Sequence, residues 1–165
     1  VIGKGENATF VHTFTFDVDR LLAAGSRYLF NDTELHVDER VKLSVASIIG
    51  FRAAMNFSMP WGAPLANFTV GRPELNTSSF RAVVPFSFEN HAMFSFGGNI
   101  TISVYNNADV LVDVGSTVFD APQGSQCSGG VDLGVLSSSL PSSGYVCVSF
   151  ETPMFSYSGL EVPYG

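Results

Sequence analysis

The chain has 165 residues, of which 45% are apolar and only 14% are charged, so it can bury a sizeable core and is not a disordered polypeptide. Its net charge is −7, and residues 82–165 contain seven acidic residues and no basic one, which argues against binding to nucleic acid. No apolar run approaches the ~18 residues of a transmembrane helix, so we expect no membrane span in this chain.

Alternating apolar and polar residues predict a first strand at Thr9–Phe16. One face of this strand carries four bulky side chains: Phe10, His12, Phe14 and Phe16. Asp17 can then cap a short helix near residues 17–24. We therefore expect an N-terminal extension at residues 1–16 and a single domain at residues 17–165.

Further strands are predicted from β-branched and aromatic runs, with a break at residues 59–64, where two prolines flank Trp61. These strands are Arg27–Phe30, Val41–Ile49, Phe51–Phe57, Leu65–Val70, Phe80–Phe88, Asn99–Tyr105, Val110–Phe119, Val131–Val135, Tyr145–Phe150 and Phe155–Val162. Asn106–Asn107 is the expected turn of the hairpin 99–119. Strands that recur about every 10–15 residues, with one short helix, predict an all-β fold of the β-sandwich or jelly-roll type.

Acceptor sites for N-linked glycans are the strongest sequence signal. Six N-x-Ser/Thr sequons are present, at Asn7, Asn31, Asn56, Asn67, Asn76 and Asn99. Nine Asn and 29 Ser or Thr predict about two such sites by chance. The excess favours a secreted glycoprotein, outside the cell or on its surface, over the alternative that Asn, Ser and Thr are merely common in turns.

Two cysteines, Cys127 and Cys147, flank a segment rich in Gly and Ser. In an extracellular protein the expected state is a disulfide, which would stabilise by about 3 kcal/mol in the chain-entropy model. The alternative is a pair of buried free thiols. Their spacing matches no zinc site.

No sequence motif of a known catalytic class is present. A hydrolase would need His36 or His91 close to both a serine and an acid. Asp17 is more simply a helix cap than a calcium ligand, and Trp61 is more simply a core anchor than a sugar platform. We therefore predict no enzyme activity, no catalytic residue, no metal and no cofactor.

The first strand is suited to pairing with another molecule, because a polar leader precedes it and a short helix follows it. Together with the six sequons, the Cys127/Cys147 pair and the all-β pattern, Thr9–Phe16 resembles the subunits of archaeal extracellular filaments of the thread or bundling-pilus type. That resemblance implies an N-glycosylated β-sandwich that polymerises through an N-terminal donor strand.

Two functions are therefore expected from the sequence. The first is a secreted structural subunit of a filament or pilus, whose partner is a second copy of itself and whose donor-strand interface is Phe10, His12, Phe14 and Phe16. The alternative is a monomeric extracellular recognition or adhesion domain, lectin-like or viral, in which the first strand pairs within its own sheet.

Overall fold

The computed structural model describes residues 17–23, 25–45, 49–76, 78, 80–136 and 140–165. In this part of the chain two short helices precede ten strands. The helices are α1 (Val18–Ala23) and α2 (Arg27–Phe30). The strands are β1 (Thr33–Val45), β2 (Ile49–Trp61), β3 (Ala66–Val70), β4 (Glu74–Leu75), β5 (Arg81–Glu89), β6 (Phe96–Asn106), β7 (Leu111–Ala121), β8 (Gln126–Leu136), β9 (Gly144–Glu151) and β10 (Ser156–Tyr164).

Two antiparallel sheets form a sandwich, which confirms the predicted all-β fold. In the first, called here the β6 sheet, the strand order is β10-β9-β6-β7. In the second, the β5 sheet, β5 pairs with β8 on one side and with β3 and then β4 on the other. The core lies between the two sheets, as in other β-sandwiches.

Strict alternation of side chains builds this core. In β5 every second residue is buried, from Ala82 to Phe88, and β9 buries Val146, Val148 and Phe150 in the same way. The ring of Phe150 meets those of Phe88 and Phe119 edge-on, with centroids 6.3 and 6.1 Å apart. Such edge-to-face contacts add to the hydrophobic stabilisation of each ring.

Pro85 lies inside the central strand β5, although proline cannot donate to a sheet ladder. The N–H of Gly71 donates to the Pro85 carbonyl at 2.9 Å. Because both main-chain groups of a paired residue in an antiparallel ladder point to the same neighbour, the missing N–H faces residues 71–73, where β3 has ended and β4 has not begun. The gap between β3 and β4 therefore lies beside Pro85, which has no N–H to donate to a neighbouring strand.

The predicted short helix is confirmed as α1, and Asp17 caps it: Oδ1 accepts a hydrogen bond from the Arg20 N–H at 3.1 Å. The predicted strand at Arg27–Phe30 is wrong, because these residues form α2. A helical turn lets the adjacent residues Leu29 and Phe30 both reach the sandwich, whereas a strand would turn them to opposite faces. Leu29 is buried in the core, and Phe30 contacts the rings of Phe68 and Tyr157.

The predicted hairpin is confirmed as β6 and β7. Its turn is longer than the expected Asn106–Asn107 pair. The Asn106 side-chain oxygen accepts hydrogen bonds from the N–H groups of Ala108 and Val110, at 2.9 and 3.0 Å. The residue with positive φ is Asp109, at 58°.

Strands β1 and β2 form a separate two-stranded sheet, called here the arm. Its register runs without interruption from Thr33↔Trp61 to Val45↔Ile49. The predicted break at residues 59–64 therefore begins too early, since β2 continues through Pro60 to Trp61. Proline is tolerated there because it lies on an edge strand, next to the end of the ladder.

Candidate functional site

The arm is amphipathic over the part whose side chains the structure describes. There Leu35, Val37 and Met59 are buried or half-buried on one face, and His36, Asp38 and Arg40 are exposed on the other. At the base of the arm Leu35 is buried in the core, whereas Met55, farther out on the same face, is exposed. Two-stranded ribbons are marginally stable alone in water, so packing against this face stabilises the arm.

The outer edges of the arm are the longest regular strand edges in the described structure. Neither β1 nor β2 pairs with a third strand among the described residues. Two edges of the sandwich are interrupted: β10 has a bulge beside Gly159 and carries Pro163, and Pro73 lies between β3 and β4. The other two edges are formed by β7 and β8, which have 11 residues each. Bulges and prolines discourage the addition of another strand, so another strand could add to the arm, to β7 or to β8, and the edges of the arm are the longest of these.

Trp61 anchors the base of the arm. Its side chain is buried, its Nε1–H donates to the Tyr28 carbonyl at 2.8 Å, and its ring lies 6.3 Å from that of Phe94. This agrees with the expected core anchor rather than with an exposed sugar platform.

Asp32, Glu89 and His91 tie the same base to the β5 sheet, and we call them the clasp. Nδ1 of His91 lies 2.8 Å from Oδ2 of Asp32, and its Nε2 lies 2.9 Å from Oε2 of Glu89. Asp32 also accepts a hydrogen bond from the Ala63 N–H at 2.8 Å. His91 therefore joins the residue before β1 to the end of β5.

Each clasp residue has a shifted pKa. The hydrogen bond from the Ala63 N–H, and then that from His91, lowers the pKa of Asp32. The hydrogen bond from His91 is also the main cause that lowers the pKa of Glu89. Hydrogen bonds to Asp32 and then Glu89 raise the pKa of His91 above its usual 6.5.

These shifts define the pH range over which the clasp stabilises the fold. A raised His91 pKa means that its contribution is complete below the usual 6.5 and is lost as the pH rises through the raised value. Lowered carboxyl pKa values mean that the contributions of Asp32 and Glu89 are present above their usual 3.8 and 4.5 and are lost as the pH falls. The clasp is therefore strongest in mildly acidic solution.

Neither described histidine meets the condition set for a hydrolase. His91 is bonded to two acids and has no serine partner among the described residues. His36 lies on the exposed face of the arm with Nδ1 2.6 Å from Ser58 Oγ, and no described acid completes the set. Among the described residues, no group of three His, Cys, Asp or Glu side chains is arranged to hold a metal ion.

Four of the five sequons within the described residues have exposed asparagines: Asn31, Asn56, Asn67 and Asn99. Asn76 is half-buried, and its amide lies 3.4 Å from Asp132. Asn7 and the four predicted donor-strand residues, Phe10, His12, Phe14 and Phe16, lie outside the described residues. The exposed positions are accessible to a glycosylating enzyme.

The predicted disulfide between Cys127 and Cys147 is not present, and both thiols are free. Cys127 on β8 points into the core, where burial raises the pKa of its thiol. Cys147 lies between the buried Val146 and Val148 on β9, so alternation turns it to the outer face of the other sheet. A disulfide needs Cβ atoms ~3.5–4.5 Å apart, which these two orientations do not allow.

Sequence reasoning missed the clasp, because Asp32 and His91 are 59 positions apart and His91 reads locally as a loop residue. The partial signal was the run Glu89–Asn90–His91, three polar residues directly after the apolar Phe88.

No protein-family model matches the chain, and neither the comparison with curated proteins nor that with solved structures finds a similar protein. In the described part of the chain, neither helix is long and apolar enough to cross a membrane.

Proposed function

We propose that the chain is a secreted, N-glycosylated structural subunit of an extracellular filament, and that it polymerises head to tail when the N-terminal strand of one copy adds to the next copy. The observation that carries this proposal is the arm, whose long edges are unpaired among the described residues. Head-to-tail contacts of this kind do not close on themselves and so produce fibres.

The chemistry of the predicted donor suits this acceptor. Thr9–Phe16 alternates bulky and polar residues, as the arm does. When the strand adds to an arm edge, its main-chain groups continue the ladder, and Phe10, Phe14 and Phe16 can extend the apolar face. The result is a three-stranded sheet, which reaches the size at which sheets become independently stable.

The test compares three variants of the full chain. A chain that begins at Asp17, and the double variant Phe14→Ala/Phe16→Ala, should remain folded and fail to form filaments by electron microscopy. The matched control Thr13→Ala/Thr15→Ala changes the opposite face of the same strand and should still assemble. Each Phe truncation removes about 3–5 kcal/mol from the subunit contact. Filaments formed by the chain that begins at Asp17 would refute the donor-strand mechanism.

The same experiment distinguishes the alternative function, a monomeric recognition domain. If residues 9–16 pair with the arm of their own chain, the wild type is a monomer at micromolar concentration. In that case the double Phe variant loses the contribution of both rings to the stability of its own fold. Because the total free energy of unfolding of a domain is only about 5–15 kcal/mol, the variant unfolds. Intact-protein mass spectrometry tests the glycans independently, because an occupied chain exceeds 17.7 kDa by several sugar trees.

A further inference from the structure

The outer face of the β6 sheet carries a strip of exposed apolar side chains. Of seven large apolar residues exposed in the described structure, four lie within nine consecutive positions: Val110, Leu111, Val114 and Val118. Val118 is the most exposed of all, at 78%. We call Leu111, Val114 and Val118 the β7 strip. Apolar side chains grouped on an exposed sheet face in this way mark an interaction site or an aggregation risk.

Asn99 lies directly beside this strip. The register pairs Asn99 of β6 with Val118 of β7, and the next outward pair is Thr101↔Ser116. Ile100 between them is completely buried, so Asn99 and Thr101 both face outward with the strip. Directly opposed residues have Cβ atoms about 4.5–5.5 Å apart. The first sugar on the Asn99 amide nitrogen is therefore within contact distance of Val118.

We propose that the N-linked glycan of Asn99 covers the β7 strip. Its first sugars lie along β7, with the apolar C–H faces of the rings against Val118 and Val114 and the hydroxyl groups toward solvent. Ser116, exposed between the two valines, offers a hydrogen-bonding group to the sugars. The inference rests on the N-glycosylation in the proposed function and gives one glycan a specific structural role.

The other exposed sequons provide a contrast. Asn67 on β3 is bonded to Glu89 at 3.0 Å, and the pair that follows it is Thr69↔Ser87, so its surroundings are polar. Asn31 is exposed at the end of α2 with φ −128°, which any residue adopts. Asn31→Gln therefore removes a glycan without changing the strip and without backbone strain.

The test uses the glycosylated full chain from its own secreting host. Thr101→Ala removes the Asn99 sequon and leaves Asn99 itself, whereas Thr101→Ser keeps the sequon. We expect a severalfold rise in the fluorescence of a hydrophobic surface dye for Thr101→Ala, and none for Thr101→Ser or Asn31→Gln. Adding Val118→Ser to Thr101→Ala should reverse the rise. In the wild type, nuclear Overhauser contacts should join the Val118 methyl protons to the first sugar and disappear in Thr101→Ala.

Four results would overturn this inference. An unmodified Asn99 beside an occupied Asn31 refutes it and leaves the proposed glycoprotein function intact. An occupied Asn99 with no Val118–sugar contact and unchanged dye fluorescence also refutes it. Loss of assembly on Val118→Ser in the fully glycosylated chain would assign the strip to a contact between copies. If no sequon carries a glycan, the inference is refuted together with the proposed glycosylation.

Discussion

The hydrogen bonds of Asn90 join two loops at one end of the sandwich. The residue is completely buried and lies directly after β5. Its Nδ2 donates to the carbonyls of Phe94, Ala121 and Pro122 at 2.9, 2.9 and 3.2 Å, and its Oδ1 accepts from the Ala92 N–H at 3.0 Å. One side chain thus holds the β5–β6 connection against the β7–β8 turn.

Asn90→Ala should therefore be strongly destabilising. The change leaves the buried Ala92 N–H without its acceptor. It also removes one donor from each of the three carbonyls that Asn90 contacts. Each buried group left unpaired costs about 1–3 kcal/mol. Because some carbonyls can be reached by water after the change, we expect a net loss of about 3 kcal/mol. For a chain of this size that loss lowers Tm by roughly 6–12 °C.

Urea denaturation followed by circular dichroism measures the loss. The matched control is Asn107→Ala, since Asn107 is exposed and donates only to Ser143 at 2.8 Å; its effect should stay within about 0.5 kcal/mol. Asn90→Asp keeps the shape and replaces the amide donors by a carboxyl group. It should be more destabilising at pH 7 than at pH 4, because burial raises the carboxyl pKa. Equal stabilities of Asn90→Ala and Asn107→Ala would refute the reasoning.

Three further predictions concern the clasp and the core. The wild type should lose stability relative to His91→Asn as the pH rises from 6.5 through the raised pKa of His91, because the stabilising charge of His91 is lost there; an equal dependence of the two urea midpoints on pH would contradict this. Phe150→Ala should cost about 3–5 kcal/mol in urea denaturation, whereas the 67% exposed Phe80 should tolerate alanine. Gly115→Ala should cost about 3 kcal/mol or more, because its Cβ would collide with the backbone carbonyl oxygen of Asp132 and lie 2.7 Å from Val131 Cγ1. The control Gly134→Ala, whose Cβ would lie 3.4 Å from the nearest atom, should be nearly neutral by thermal melting.

The arm and the clasp show where reading the sequence alone reaches its limit. The sequence shows strand-forming runs at Val41–Ile49 and Phe51–Phe57. It does not show that the two strands pair with each other over thirteen residues each. The segment that begins at Thr33 carries four charged residues before Val41, so its strand conformation depends on pairing with β2. The ion pairs of His91 depend on the same long-range placement.

The sequence by itself determined the features that follow from local periodicity. Period-two alternation predicted the all-β class and the hairpin of β6 and β7, and the capping chemistry of Asp17 predicted α1. The tertiary structure alone decided the helical state of Arg27–Phe30, the passage of β2 through Pro60 and the opposite orientations of Cys127 and Cys147. The physical reason is that each of these depends on which surface lies beside the residue: a helical turn lets both Leu29 and Phe30 pack on the sandwich, and the facing sheet fixes the direction in which each thiol points.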